Sequence, residues 1–139
     1  MMQVFFQMEA CEDFDVNNRA TYFKDRNFKG QKEYCHELYS LICNKKEEVD
    51  LEIDKYSINW KVSRMPKADL AIIRLAACEI MYLANIPSAV SINEAVDLAK
   101  TYGTEDSAKY VNAILGKIAA KSSETIETIE TIETSEADE

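Results

Sequence analysis

Apolar residues recur at three- and four-residue steps along almost the whole chain, a pattern that predicts helices and no convincing strand. Residues 2 to 11 bring Val4, Phe5 and Met8 to one face. Residues 31 to 45 group Tyr34, Leu38, Leu41 and Ile42, and a separate helix over about 47 to 57 groups Val49, Ile53 and Tyr56. After a connector holding Trp60, a long helix begins near Pro66, which suits a first turn because no N–H is needed there. Its stripe is Leu70, Ile73, Ala77, Ile80 and Met81 with Ala84, Asp69 suits its positive end, and Pro87 closes it. Ser91 with Glu94 forms a capping box for the next helix, with Ser88 an equally good cap. Gly103 is placed as the left-handed residue after that helix. Thr104 then caps the last one, which buries Val111, Ile114, Leu115 and Ile118.

Two asparagines interrupt these apolar patterns. A buried amide costs free energy unless its donors and acceptors are met, so Asn93 is expected to satisfy backbone groups at a helix end or between helices. Asn112 stands beside Lys109 and Tyr110. A cation, a ring and an amide on about one turn offer a phosphate contact, a stacking surface and a base-edge hydrogen bond, the elements of single-stranded RNA recognition. The same spacing also fits an ordinary helix surface.

Composition narrows the function. The chain has 139 residues, 47% of them hydrophobic, enough for one domain or two small sub-bundles with a shared interface. No apolar run is long enough to span a bilayer and no signal peptide opens the chain, so a cytoplasmic protein is expected. Cys11, Cys35, Cys43 and Cys78 are scattered without metal-site spacing and are read as small apolar fillers. Cys35 and His36 are adjacent, and helical neighbours point about 100° apart, so they do not form a nucleophile and base. A single histidine and three glycines exclude a catalytic triad, a multi-histidine metal site and a glycine-rich phosphate loop. No enzyme and no cofactor is expected.

The net charge of −9 argues against nucleic acid until its distribution is considered. Residues 122–139, which repeat Thr-Ile-Glu three times, hold seven acids and no base, leaving 18 acids against 16 bases in residues 1–121. This acidic low-complexity tail is expected to be disordered, or at most a frayed continuation of the last helix. Within the body, KDRNFKGQK (24 to 32) and KVSRMPK (61 to 67) are locally basic, as ordinary solvated loops often are.

The stretches INWKVSRMPKADLAIIRLAACEI and IPSAVSINEAVDLAKTYGTEDSAKYVNAIL, with the opening MQVFFQMEA, resemble the NusB family of bacterial transcription antitermination factors over nearly all of residues 2 to 119. The resemblance implies an all-α fold of two small three-helix subdomains, here residues 1–64 and 65–121, followed by the tail. It implies binding to the boxA element of nascent ribosomal RNA as a heterodimer with NusE, a small-subunit ribosomal protein, within an RNA polymerase antitermination complex. Lys109, Tyr110 and Asn112 match the family's K-F-V-N segment and inherit an RNA-side role, with Asp106 a modulator of RNA affinity through its charge. Asp69, Arg74 and Glu79 match the helix associated with NusE and are partner candidates. The alternative for Arg74 and Glu79 is a pair near i, i+4 spacing on an exposed face. Asn93 and Glu94 match the I-N-E-A signature and, with Trp60, are assigned structural roles.

The chain also departs from the family pattern. Its arginine-rich opening segment is absent from this sequence, so the native start lies upstream or the protein leans on its partner's charge. Ala113 and Gly116 replace residues that are usually Gly and Asp. A second function class therefore stays open, an interaction module of the same fold with little RNA binding of its own. A third is the NusB-like region attached to RNA cytosine methyltransferases; this chain is too short for the catalytic domain, and methyl transfer is not expected. A homodimer that hides its RNA surface also stays open.

Overall fold

The computed structural model describes residues 1–57 and 61–137, with side chains described through residue 122. Among the described residues the chain is helical and contains no strand: α1 Met2–Ala10, α2 Arg19–Phe23, α3 Lys32–Tyr56, α4 Lys67–Tyr82, α5 Ser88–Tyr102 and α6 Glu105–Ala137. Short 3₁₀ turns at Val16–Asn18 and Val62–Arg64 complete the order. Trp60, assigned a structural role from sequence, lies outside the described residues.

α4 forms the axis of the fold and packs against α1, α3, α5 and α6. Its sequence explains why. Leu70, Ala71, Ile72, Ile73, Ala76 and Ala77 are apolar on every side of the helix and all buried, so α4 is enclosed by its neighbours. One continuous core runs from Val4, Phe5 and Met8 on α1 to Val111, Ile114, Leu115 and Ile118 on α6. Each large side chain fully removed from water contributes roughly 1.5–3 kcal/mol. The core thus crosses the boundary drawn between residues 64 and 65, with α1 lying directly on α4.

Several local expectations change. The two helices expected over 31–45 and 47–57 are one helix, α3, about 37 Å long at 1.5 Å per residue. The charged run at its centre contains no breaker and forms paired turns, Lys45 with Glu48 at 3.7 Å and Lys46 with Asp50 at 3.4 Å. Residues 11–18 are held by Asp13, whose carboxylate accepts from Tyr22 Oη at 3.0 Å and Asn18 Nδ2 at 2.9 Å. Its acidity is strengthened first by the Asp15 backbone N–H. Tyr39 Oη then donates to the Asp15 carbonyl at 2.8 Å.

α5 starts at Ser88 with Pro87 before it, and neither Ser88 nor Ser91 caps it. Gly103 is extended, with φ −106° and ψ −162°, and not left-handed. Glycine is required there by proximity, because a Cβ would lie 2.6 Å from Ser107 Oγ and 2.8 Å from the Ala99 carbonyl. α4 ends at Tyr82, which leaves Ala84 outside the helix and exposed. Cys35 and Cys78 are buried as expected, but Cys11 is exposed and fills nothing. α6 runs from the core into the acidic repeat.

Candidate nucleic-acid interface

Three charged side chains lie on α4 at five-residue spacing, and five residues turn a helix by about 140° beyond a full turn. Asp69, Arg74 and Glu79 therefore face three directions, and each meets a different neighbour. Asp69 Oδ2 accepts from Ser107 Oγ on α6 at 3.0 Å. Ser107 Oγ in turn accepts from the Thr104 backbone N–H at 2.9 Å. With its proton given to Asp69, Ser107 receives the Thr104 hydroxyl at 3.2 Å. Asp69 Oδ1 is buried with no hydrogen-bond partner, and burial pushes this carboxyl above its ordinary range, with Ser107 pulling the other way.

Arg74 is 2% exposed. Its Nε and Nη2 grip both oxygens of Asp50 on α3 at 2.9 Å, and Nη1 donates to Glu9 Oε2 on α1 at 2.7 Å. Burial disfavours the charged guanidinium, but the two carboxylates outweigh it and raise its basicity. The Phe14 ring closes the site, its centroid 5.4 Å from the guanidinium carbon. Glu79 accepts from the buried Ser91 hydroxyl on α5 at 3.2 Å. Burial raises the Glu79 carboxyl, against the hydrogen bonds from Tyr34 and Ser91.

These three candidates for partner contact are thus buried ties between helices. The exposed i, i+4 pairing of Arg74 with Glu79 is corrected: both are buried, and each bonds elsewhere. A charge placed in a helix that is apolar all round must be enclosed and paired, and that signal was present in LAIIRLAACEI. Glu9, Asp50 and Ser107, the partners of Arg74 and Asp69, carried no comparable signal.

On α6, Lys109 and Asn112 are exposed and about 60° apart on the outer face, with Gly116 between them in angle. Asp106 is exposed beside them. Tyr110 is half-buried, packed against the core on the flank about 160° from Asn112. The structure therefore joins Lys109 with Asn112 and sets Tyr110 apart, so the three do not make one flat platform. Asn93 and Glu94 on α5 are exposed too, and Asn93 bridges no helices among the described residues. Both asparagines that interrupt the apolar patterns are surface residues. Phe6 and Tyr102, which the apolar stripes did not single out, are 40% and 50% exposed. They line a cleft of about 370 Å³ with Gln3, Gln7, Arg26 and Ala68.

Among the described residues no group of acids, cysteines and histidine is arranged to hold a metal ion, and no helix is long and apolar enough to cross a membrane. Burial pushes the Cys78 thiol up to about 12, which leaves it unreactive near neutral pH.

The family model of the NusB family matches residues 1–120. A transcription antitermination protein NusB from Alkaliphilus oremlandii is 42% identical over 117 residues, covering 84% of this chain and 85% of the relative. One from Acetivibrio thermocellus is 40% identical over 120 residues, covering 84% and 81%. Among solved structures, T. maritima NusB superposes with a TM-score of 0.76 at 32% identity, covering 86% of this chain and 84% of that one.

Proposed function

This chain belongs to the NusB family, a family of transcription antitermination factors and not of enzymes, and from that membership we propose that it binds boxA-type single-stranded RNA together with NusE. In this role it helps RNA polymerase resist termination on nascent ribosomal transcripts. The observation that carries the reading is the exposed pair Lys109 and Asn112 on the outer face of α6, inside the matched residues 1–120. Lys109 supplies a phosphate contact and Asn112 a base-edge contact, while Tyr110 stacks only at the flank. Asp106 weakens RNA binding through its charge.

Toward NusE, Asp69, Arg74 and Glu79 act from beneath. They fix how α1, α3, α5 and α6 sit on α4, and the exposed apolar surface at Phe6 and Tyr102 takes the contact. Labelled boxA RNA titrated with this chain, with and without NusE, at two salt concentrations tests the reading. Binding should tighten with NusE and weaken with salt, and equal affinity for a scrambled RNA overturns the specificity.

A second reading, a module that binds its protein partner with little RNA affinity of its own, is favoured by Glu105 and Asp106, both exposed beside Lys109. NusE association without any gain in RNA binding would decide for it.

A further inference from the structure

A cationic cleft lies away from α6. Between α2 and the start of α3 is a cleft of about 670 Å³ lined by Arg19, Lys24, Arg26, Lys29 and Lys32, with no acid in its wall. The acids of this segment, Asp25 and Glu33, do not line it. Lys45, Lys46, Lys55, Arg74 and Lys121 each hold a carboxylate partner elsewhere in the fold. Among the described residues the five cleft cations hold none. Arg26 is fixed by neutral acceptors, the Tyr22 carbonyl at 2.9 Å and Gln7 Oε1 at 2.9 Å, which orient it without neutralising it. Five cations around one cleft repel one another, and no acid in its wall offsets that repulsion.

The same cleft has an aromatic floor. The Phe23 ring centroid lies 4.8 Å from that of Phe28 and 5.1 Å from that of His36, and Phe23 meets the buried Tyr39 nearly perpendicular at 5.6 Å. Phe23, Phe28 and His36 are half-buried, so their remaining surface is available in the cleft. A row of cations binds any polyanion, whereas flat rings among the cations suit a strand whose bases have left the duplex. Arg26 also lines the cleft of Phe6 and Tyr102, so the two clefts share that side chain.

We propose that the cleft between α2 and α3 is a second site for single-stranded RNA, its cations holding the phosphodiester backbone and its rings receiving a base. The inference rests on this chain being an RNA-binding protein and adds to it a site separate from α6. It commits to RNA over an acidic protein segment because the aromatic floor has no use for a carboxylate side chain.

His36 is the only histidine of the chain and lies in the cleft wall, so its imidazole resonance reports occupancy directly. Its basicity is lowered by burial, then by Arg19 and Lys32. A phosphate chain among those cations must raise it.

The full chain is titrated with a twelve-nucleotide oligouridine, poly-glutamate and inorganic phosphate, following the His36 signal and the affinity at several salt concentrations. The same measurements are made on K24Q/K29Q/K32Q, whose lysines are exposed, and on K109Q/N112A. The site is supported if RNA alone shifts His36 and raises its pKa. In addition, K24Q/K29Q/K32Q should bind more than tenfold more weakly, with a log–log salt slope shallower by about 0.7 for each phosphate no longer neutralised. RNA binding that leaves His36 unmoved and K24Q/K29Q/K32Q unimpaired overturns the cleft and leaves α6 standing. A His36 response with normal binding by K109Q/N112A supports the cleft and overturns the α6 assignment. Equal response to poly-glutamate or inorganic phosphate overturns the RNA assignment of the cleft, and no RNA binding at any salt overturns both sites.

Discussion

Ser107 Oγ donates to Asp69 Oδ2 at 3.0 Å inside the core, joining the first turn of α6 to the first turn of α4. The other Asp69 oxygen has no partner, so the carboxylate is held at a loss that only its neutral form avoids. An acid whose folded-state pKa lies above its unfolded value contributes stability below the unfolded pKa, and loses it as pH rises through the folded one. Asp69→Asn keeps an acceptor for Ser107 and removes the buried charge, leaving a neutral amide NH2 at the unpartnered position. Its stability at pH 7 is expected to equal or exceed the parent's, with a flatter decline from pH 4 to 7 in urea melts. Glu79, shifted the same way, keeps part of the slope. Ser107→Ala leaves both Asp69 and Thr104 N–H unserved and should cost about 1–3 kcal/mol.

Arg74 tests whether the α4 charges act from within. Removing a buried cation that serves two carboxylates costs about 3–5 kcal/mol, so Arg74→Ala should lower the urea midpoint sharply. Arg74→Lys, lacking the planar fork that fits Asp50, should fall between Ala and the parent. Where Arg74→Lys is still fully folded, its NusE affinity is expected to match the parent's. A selective loss of NusE binding in that folded variant would mean that Arg74 touches the partner.

Alanine at two glycines should act in opposite directions. Gly103→Ala places a methyl group against Ser107 and the Ala99 carbonyl, and such overpacking typically costs about 1–3 kcal/mol. Gly116 is exposed in mid-helix with nothing within 4 Å of an added Cβ, so Gly116→Ala should stabilise by about 0.5–1 kcal/mol. Thermal melts of the two variants settle both signs.

The apolar stripes were legible because helical spacing alone chooses the buried face. Val4, Phe5, Met8, Val111, Ile114, Leu115 and Ile118 are all buried as that spacing requires. What spacing does not carry is tertiary proximity. Gly103 reads as a left-handed cap because glycine usually serves that purpose, and only the position of Ser107 shows that bulk, not φ, forbids a side chain there. The run at 45–48 reads as a boundary because it is polar, while a solvated turn of a continuous helix is equally polar. The two asparagines look buried because their chain neighbours are apolar, yet a residue on either side of a core position in a helix points about 100° away from it. For the α6 face, sequence placed Lys109, Tyr110 and Asn112 together by number, and the turn of the helix separates Tyr110 from the other two.

Lys109 and Asp106 lie one helical turn apart on the exposed side of α6 and carry opposite charges, so they make opposing predictions for RNA. Lys109→Gln removes one phosphate contact and should weaken boxA binding at low salt, reducing the salt slope by about 0.7 as expected for a single strand. Asp106→Asn removes a charge that repels the same phosphates and should strengthen binding. That gain should shrink as salt rises toward 1 M, where the screening length falls to about 3 Å. Both side chains are exposed, so thermal stability should barely move and the RNA affinities can be compared directly. If the two substitutions change affinity in the same direction, the effect comes from helix geometry, and the RNA does not run along this face of α6.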